Sequence, residues 1–101
     1  MKIILYLYKH ELTFSGKWDL PYFPNVGDTI NIYSFLTEED RDSIKDVMYG
    51  DVASDVELSE YQRNHEDINL WRVLERYPCE ITKKTWTKEN DEWVCTFVLN
   101  P

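Results

Sequence analysis

Alternation of apolar and polar side chains marks the last strand predicted in this chain, and a continuous apolar run marks the first. Successive residues of a β-strand point to opposite sides. In residues 92–99 the apolar face therefore carries Trp93, Cys95, Phe97 and Leu99. Residues 2–9 are apolar on both alternating faces, which is typical of a strand covered on both sides. We predict that residues 2–9 lie in the interior of a sheet.

Further strands are predicted at residues 12–15, 29–35, 70–77 and 79–87. Within the last of these, Cys79 and Ile81 share one parity and Trp86 has the other. Such a change of parity indicates a β-bulge near residues 83–85, or an edge strand. Residues 88–91, with the sequence Lys-Glu-Asn-Asp, are predicted to form a hairpin turn into the final strand.

A helix is predicted after Thr37. Thr37 is a suitable N-cap, and the three acidic residues that follow it favour the positive end of a helix dipole. Ile44, Val47 and Met48 have the i, i+3, i+4 spacing of one helical face, and Gly50 is a natural C-terminal stop. The pattern predicts one amphipathic helix that ends near Gly50.

Residues 51–69 are ambiguous between helix, strand and loop. Ser54 with Glu57 fits a capping box, and Leu58, Tyr61 and His65 fit one helical face. Residues 56, 58 and 60 also alternate in the manner of a strand. Of these alternatives, we predict a short helix.

These elements predict one α+β domain over residues 1–101. We expect a curled antiparallel sheet, or a partly open small β-barrel of five to six strands, with one or two short helices inserted between the second and third long strands. A hydrophobic content of 43% and an aromatic content of 15% exclude a disordered chain and supply enough large side chains for one core.

The net charge of −8 comes from one segment of the chain. Residues 37–69 contain eleven acidic and three basic residues, whereas the rest contains eight of each. An acidic domain is a poor match to the phosphate backbone, so we expect no nucleic-acid partner. Lys83, Lys84 and Lys88 beside Trp86 form the one basic-aromatic cluster, which we interpret as an edge strand protected from pairing.

No catalytic, metal-binding or cofactor motif is present. The two histidines, His10 and His65, and the two cysteines, Cys79 and Cys95, lack the spacing of a zinc site. The acidic residues after Thr37 lack the glycine and glutamate positions of an EF-hand loop. We therefore expect no metal, no cofactor and no catalytic residue, and buried reduced thiols at both cysteines.

We also expect a cytoplasmic protein. The apolar run of residues 3–8 is shorter than the roughly 7–15 residues of a secretory core, and no small-residue cleavage site follows it. No stretch approaches the roughly 20 apolar residues of a membrane span.

The leading functional hypothesis is a small, non-catalytic interaction protein that binds a basic protein through its acidic segment. The binding residues predicted for it are Glu38, Glu39, Asp42, Asp46, Tyr49, Tyr61 and Trp71. The aromatic members are proposed as interface anchors. Two alternatives remain open: a small-molecule-binding barrel or enzyme with its site at the mouth of the sheet, and a homo-oligomer formed through aromatic strands.

Overall fold

The computed structural model describes residues 1–53 and 55–101. The capping box predicted at Ser54 lies outside these residues. The chain forms a five-stranded, mixed and curled sheet in the shape of a half-barrel, with three short α-helices, so the predicted α+β class is confirmed.

Nine elements follow one another along the described chain. The strands are β1 (Lys2–Leu7), β2 (Leu12–Lys17), β3 (Thr29–Ile30), β4 (Cys79–Glu89) and β5 (Glu92–Asn100). The helices are α1 (Glu38–Ser43), α2 (Glu60–Asn64) and α3 (Leu70–Arg76), and a single 3₁₀ turn covers Ile32–Phe35. The helical segments thus lie between the short β3 and the long β4.

The spatial order of the strands is β2-β1-β5-β4-β3. Most neighbours are antiparallel, but β1 and β5 are parallel, with Leu5 opposite Phe97. Because the first and last strands pair side by side, the two ends of the sequence meet in the middle of the sheet.

One face of β1 forms the centre of the core. Ile3, Leu5 and Leu7 are fully buried, whereas Ile4 and Tyr6 on the other face remain partly exposed. The expectation that β1 is covered on both faces is therefore wrong, although the strand does lie in the interior of the sheet.

Residues 70–76 form a helix, and the strand predicted at 70–77 is wrong. Leu70, Val73 and Leu74 are the buried residues, with the i, i+3, i+4 spacing of a helical face. The strand prediction relied on the alternation of Trp71 with Val73, but burial follows the helical period instead. Pro78 lies directly before β4 and prevents the helix from continuing.

Two other elements are shorter than predicted. Only Thr29 and Ile30 of residues 29–35 are in a strand, and the 3₁₀ turn follows after Asn31. Helix α1 has the predicted N-cap at Thr37, with a reciprocal capping box to Asp40, but it ends at Ser43. Gly50 therefore does not terminate it.

The ambiguous region contains the predicted short helix, as α2. It begins with a capping box between Ser59 and Gln62. The predicted bulge in β4 is also confirmed, as a register shift between Ile81 and Lys83, slightly earlier than expected. Among the residues that the structure describes, no helix is long and apolar enough to cross a lipid bilayer.

Candidate functional site

The acidic residues of segment 37–69 lie at the surface. All of them are exposed except Asp40, whose carboxylate accepts a hydrogen bond from the Thr37 backbone N–H. In the described part of the chain the one ion pair within 4.0 Å joins Lys2 to Glu89, outside this segment. Two of the carboxylates in segment 37–69, those of Asp40 and Asp51, accept backbone hydrogen bonds. We call this surface the acidic face.

A narrow cleft of about 280 Å³ lies at one border of the acidic face. It brings together two predicted site residues, Asp42 and Trp71, with the ring of Tyr33 between helix α1 and helix α3. The Arg41 guanidinium lies 4.4 Å from the centroid of the Tyr33 ring. The cleft thus combines two aromatic surfaces with one carboxylate, Asp42, and two cationic side chains, Arg41 and Lys45.

Tyr49, another predicted site residue, is almost fully buried and belongs to the core. Burial raises the pKa of its hydroxyl. Its backbone carbonyl lies 2.9 Å from Nε2 of His10, and the two rings are stacked with centroids 6.2 Å apart. Tyr49 therefore anchors the acidic segment to the loop that follows β1.

Gln62 makes a second connection between the acidic segment and the sheet. Its side-chain oxygen accepts hydrogen bonds from Lys9 Nζ at 3.2 Å and from the Ser59 backbone N–H at 3.1 Å. Desolvation lowers the pKa of Lys9 at this contact. Because both connections are buried or partly buried, the acidic segment is held in one place on the sheet.

A second concave site, a cavity of about 360 Å³, lies between α2 and α3. Its polar wall consists of Tyr49, Tyr61, His65, Arg72, Arg76 and Tyr77. Ile68 and Val73 supply apolar surface. We call this site the arginine–tyrosine pocket. It contains two of the predicted site residues, Tyr49 and Tyr61, whose rings meet edge to face at 6.4 Å.

The aromatic wall of the arginine–tyrosine pocket is held by His65. Its ring stacks on Tyr61 with centroids 4.2 Å apart, and Nδ1 lies 2.7 Å from the Tyr61 carbonyl oxygen. A carbonyl only accepts hydrogen bonds, so the hydrogen of the neutral imidazole must sit on Nδ1. The second ring nitrogen, Nε2, is then left for another partner.

The Tyr61 hydroxyl remains a neutral donor at physiological pH. Desolvation is the main effect that raises its pKa, and the neighbouring Tyr77 adds to it. The positive charge of Arg76, which lines the same cavity, acts on this pKa in the opposite direction. Hydroxyl, imidazole and guanidinium groups therefore converge on one small volume.

The concave face of the sheet is filled rather than open. Phe23 stacks on Phe97 with centroids 5.3 Å apart, and Trp18 meets Phe23 edge to face at 5.6 Å. A wider recess near Lys2, Lys17 and Trp93 is lined mostly by exposed side chains. It is a surface depression and not an enclosed site.

Both cysteines are free thiols within the core, as expected. Desolvation raises the pKa of Cys79 to about 12 and also raises that of Cys95. In residues 1–53 and 55–101, no group of three or more His, Cys, Asp or Glu side chains is placed to hold a metal ion.

Comparison with protein-family models, with curated proteins and with solved structures finds no match for this chain. Its candidate sites therefore depend on the geometry alone. The remaining predicted site residues, Glu38, Glu39 and Asp46, are exposed on or beside α1.

Four polar residues of the arginine–tyrosine pocket are absent from the sequence prediction: His65, Arg72, Arg76 and Tyr77. A helical interpretation of residues 70–76 would have indicated the arginine pair, since side chains four residues apart lie on the same face of a helix. No local pattern links that pair to Tyr61, because α2 and α3 meet only in the folded chain.

Proposed function

We propose that this chain is a small, non-catalytic interaction protein that binds a basic partner through its acidic face. The observation that carries the proposal is the exposure of ten carboxylates in segment 37–69 with no internal ion pair among the described residues. Ion pairing within the protein would cancel much of their field. Unpaired, they give the segment a concentrated negative potential.

A field of this kind speeds the encounter with a positively charged surface and selects against acidic ones. Trp71 and Tyr33 in the cleft beside Asp42 add apolar contact area next to the charge. Aromatic residues of this type are frequent at the energetic centres of interfaces. The partner we expect therefore presents several lysine or arginine side chains to the exposed carboxylates of the acidic face.

The test is a calorimetric titration of the protein with an octalysine peptide. One variant reverses three charges of the acidic face, Glu38→Lys, Asp42→Lys and Asp46→Lys. The matched control reverses three exposed acids elsewhere, Asp19→Lys, Glu80→Lys and Glu92→Lys, and changes the net charge equally.

Exposed ion pairs contribute about 0.2–1 kcal/mol each, so reversing three of them should weaken binding about tenfold or more. The control should lose much less affinity. Binding should also weaken with added salt, as the screening length shortens from about 10 Å at 0.1 M to about 3 Å at 1 M. Equal losses in both variants would show that net charge, and not the acidic face, governs binding.

A further inference from the structure

The arginine–tyrosine pocket contains positive charge inside an otherwise acidic part of the molecule. Arg72 and Arg76 are one helical turn apart on α3, and both line the cavity. Neither has a carboxylate within 4.0 Å in the described residues, and neither donates a side-chain hydrogen bond there. Two guanidinium groups with unused donors therefore border one cavity.

The carboxylate nearest to them in sequence is Glu75. It shares an adjoining surface groove with both arginines but does not line the arginine–tyrosine pocket itself. The Arg72 guanidinium lies 5.2 Å from the centroid of the Trp71 ring, which supports it from outside the pocket. The charge that faces the cavity is therefore positive.

Two further polar groups of the cavity can donate hydrogen bonds. They are the phenols of Tyr61 and Tyr77, which are half-exposed at its edge. A guanidinium presents its N–H groups in a planar fork that matches the oxygens of a carboxylate or a phosphate. This set of groups is complementary to a small oxyanion.

The remaining wall of the cavity is apolar. Val73 and Ile68, together with the ring of Tyr61, form a surface against which a ring or short apolar chain can pack. A cavity of about 360 Å³ lies within the roughly 300–1,000 Å³ range of small-molecule sites. It is large enough for an anionic group attached to one ring, and a lone inorganic ion would leave the apolar wall uncovered.

We propose that the arginine–tyrosine pocket binds a small aromatic anion, that is, a carboxylate or phosphate carried on an aryl group. The anionic oxygens contact Arg72 and Arg76, and the aryl group packs on Val73 and the Tyr61 ring. No carboxylate lines this site, so the proposal does not depend on the proposed basic partner.

The test is a titration of the full chain with phenyl phosphate, benzoate, phenol and inorganic phosphate, followed by amide chemical shifts. Phenyl phosphate and benzoate should each saturate, with the largest shifts in residues 60–77. The comparison between them identifies the preferred oxyanion. Phenol and inorganic phosphate, which each retain half of the ligand, should bind at least about tenfold more weakly, since a charge-assisted hydrogen bond or a buried ring is lost.

The variants Arg72→Gln and Arg76→Gln remove one guanidinium each from exposed positions of α3. Each should weaken binding of phenyl phosphate about tenfold or more, because one charged hydrogen-bonding partner is lost. Arg63→Gln is the matched control, since Arg63 lies on α2 but does not line the cavity. It should bind as the wild type does.

Thermal unfolding of each variant establishes that the fold is retained. The proposal is overturned if neither phenyl phosphate nor benzoate saturates the wild-type protein at concentrations up to about 10 mM, because a dissociation constant above that value is too weak for a specific site. It is also overturned if both pocket variants bind normally, or if Arg63→Gln causes the same loss.

Discussion

The imidazole of His65 lies face to face with the ring of Tyr61, at a centroid separation of 4.2 Å, and its Nδ1 contacts the Tyr61 carbonyl. Two contacts between the same pair of residues fix the phenol at the edge of the arginine–tyrosine pocket. Because Tyr61 is the second residue of α2 and His65 is its C-cap, the wall of the pocket depends on a helix of only five residues.

His65→Ala should therefore loosen the Tyr61 ring and weaken binding of phenyl phosphate about two- to tenfold, the equivalent of an aromatic pair worth about 0.5–1.5 kcal/mol. The dissociation constant from calorimetry measures this effect. His65→Phe keeps a ring in place and should lose less affinity. Unchanged binding in His65→Ala would show that the stacked pair does not position the phenol.

His10 should make the stability of the protein depend on pH. Its Nε2 donates to the Tyr49 carbonyl, and Nδ1 is buried with no hydrogen-bond partner among the described residues. Burial is the main effect on this group and lowers its pKa from the ordinary value of 6.5. The unfolded state thus binds the proton more readily than the folded state.

The stabilisation by neutral His10 is complete above about pH 6.5 and is lost as the pH falls toward the lower pKa of the folded state. The free energy of unfolding, measured by urea titration, should therefore decrease between about pH 7 and pH 5. His10→Gln should flatten this decrease, and His65→Gln should preserve it. An unchanged slope in His10→Gln would exclude His10 as its source.

Gly50 should be intolerant of any side chain. Its backbone N–H donates to the Glu66 carbonyl, and a β-carbon at Gly50 would collide with the β-carbon and backbone of Glu66. Gly50→Ala should lower the free energy of unfolding by about 1–3 kcal/mol, the usual cost of overpacking. Asp46→Ala, at an exposed site nearby, should change it by less than about 0.5 kcal/mol. Equal stability of the two variants would contradict the close approach.

Gln62 should stabilise the attachment of the acidic segment to the sheet. Gln62→Ala removes the acceptor used by both Lys9 and the Ser59 N–H, and should cost about 1–2 kcal/mol in urea unfolding. Gln62→Glu keeps that acceptor and should retain most of the stability. An unchanged free energy of unfolding in Gln62→Ala would mean that other contacts hold the acidic segment on the sheet.

Much of the fold follows from patterns within single segments. The alternation in residues 92–99 predicts β5, and Thr37 with the acids after it predicts the start of α1. These features are local, because a strand or an N-cap is defined by neighbouring residues. The parallel pairing of β1 with β5 is not local, since it joins residues more than ninety positions apart.

The candidate sites divide in the same way. The acidic face is a property of composition along one segment, and it is visible in the sequence. The arginine–tyrosine pocket requires α2 and α3 to meet. The alternation of Trp71 with Val73 favours a strand in the sequence, and it hides the helix that carries Arg72 and Arg76. Burial of Leu70 and Leu74 on one helical face decides between the two patterns.

The binding of a basic partner to the acidic face is tested most directly by mapping octalysine onto the protein with amide chemical shifts at low salt. If octalysine binds the acidic face, the shifted residues should concentrate in segment 37–69 and around Trp71, and the shifts should disappear at high salt. Shifts spread evenly over the surface, or centred on the β4–β5 hairpin, would contradict it.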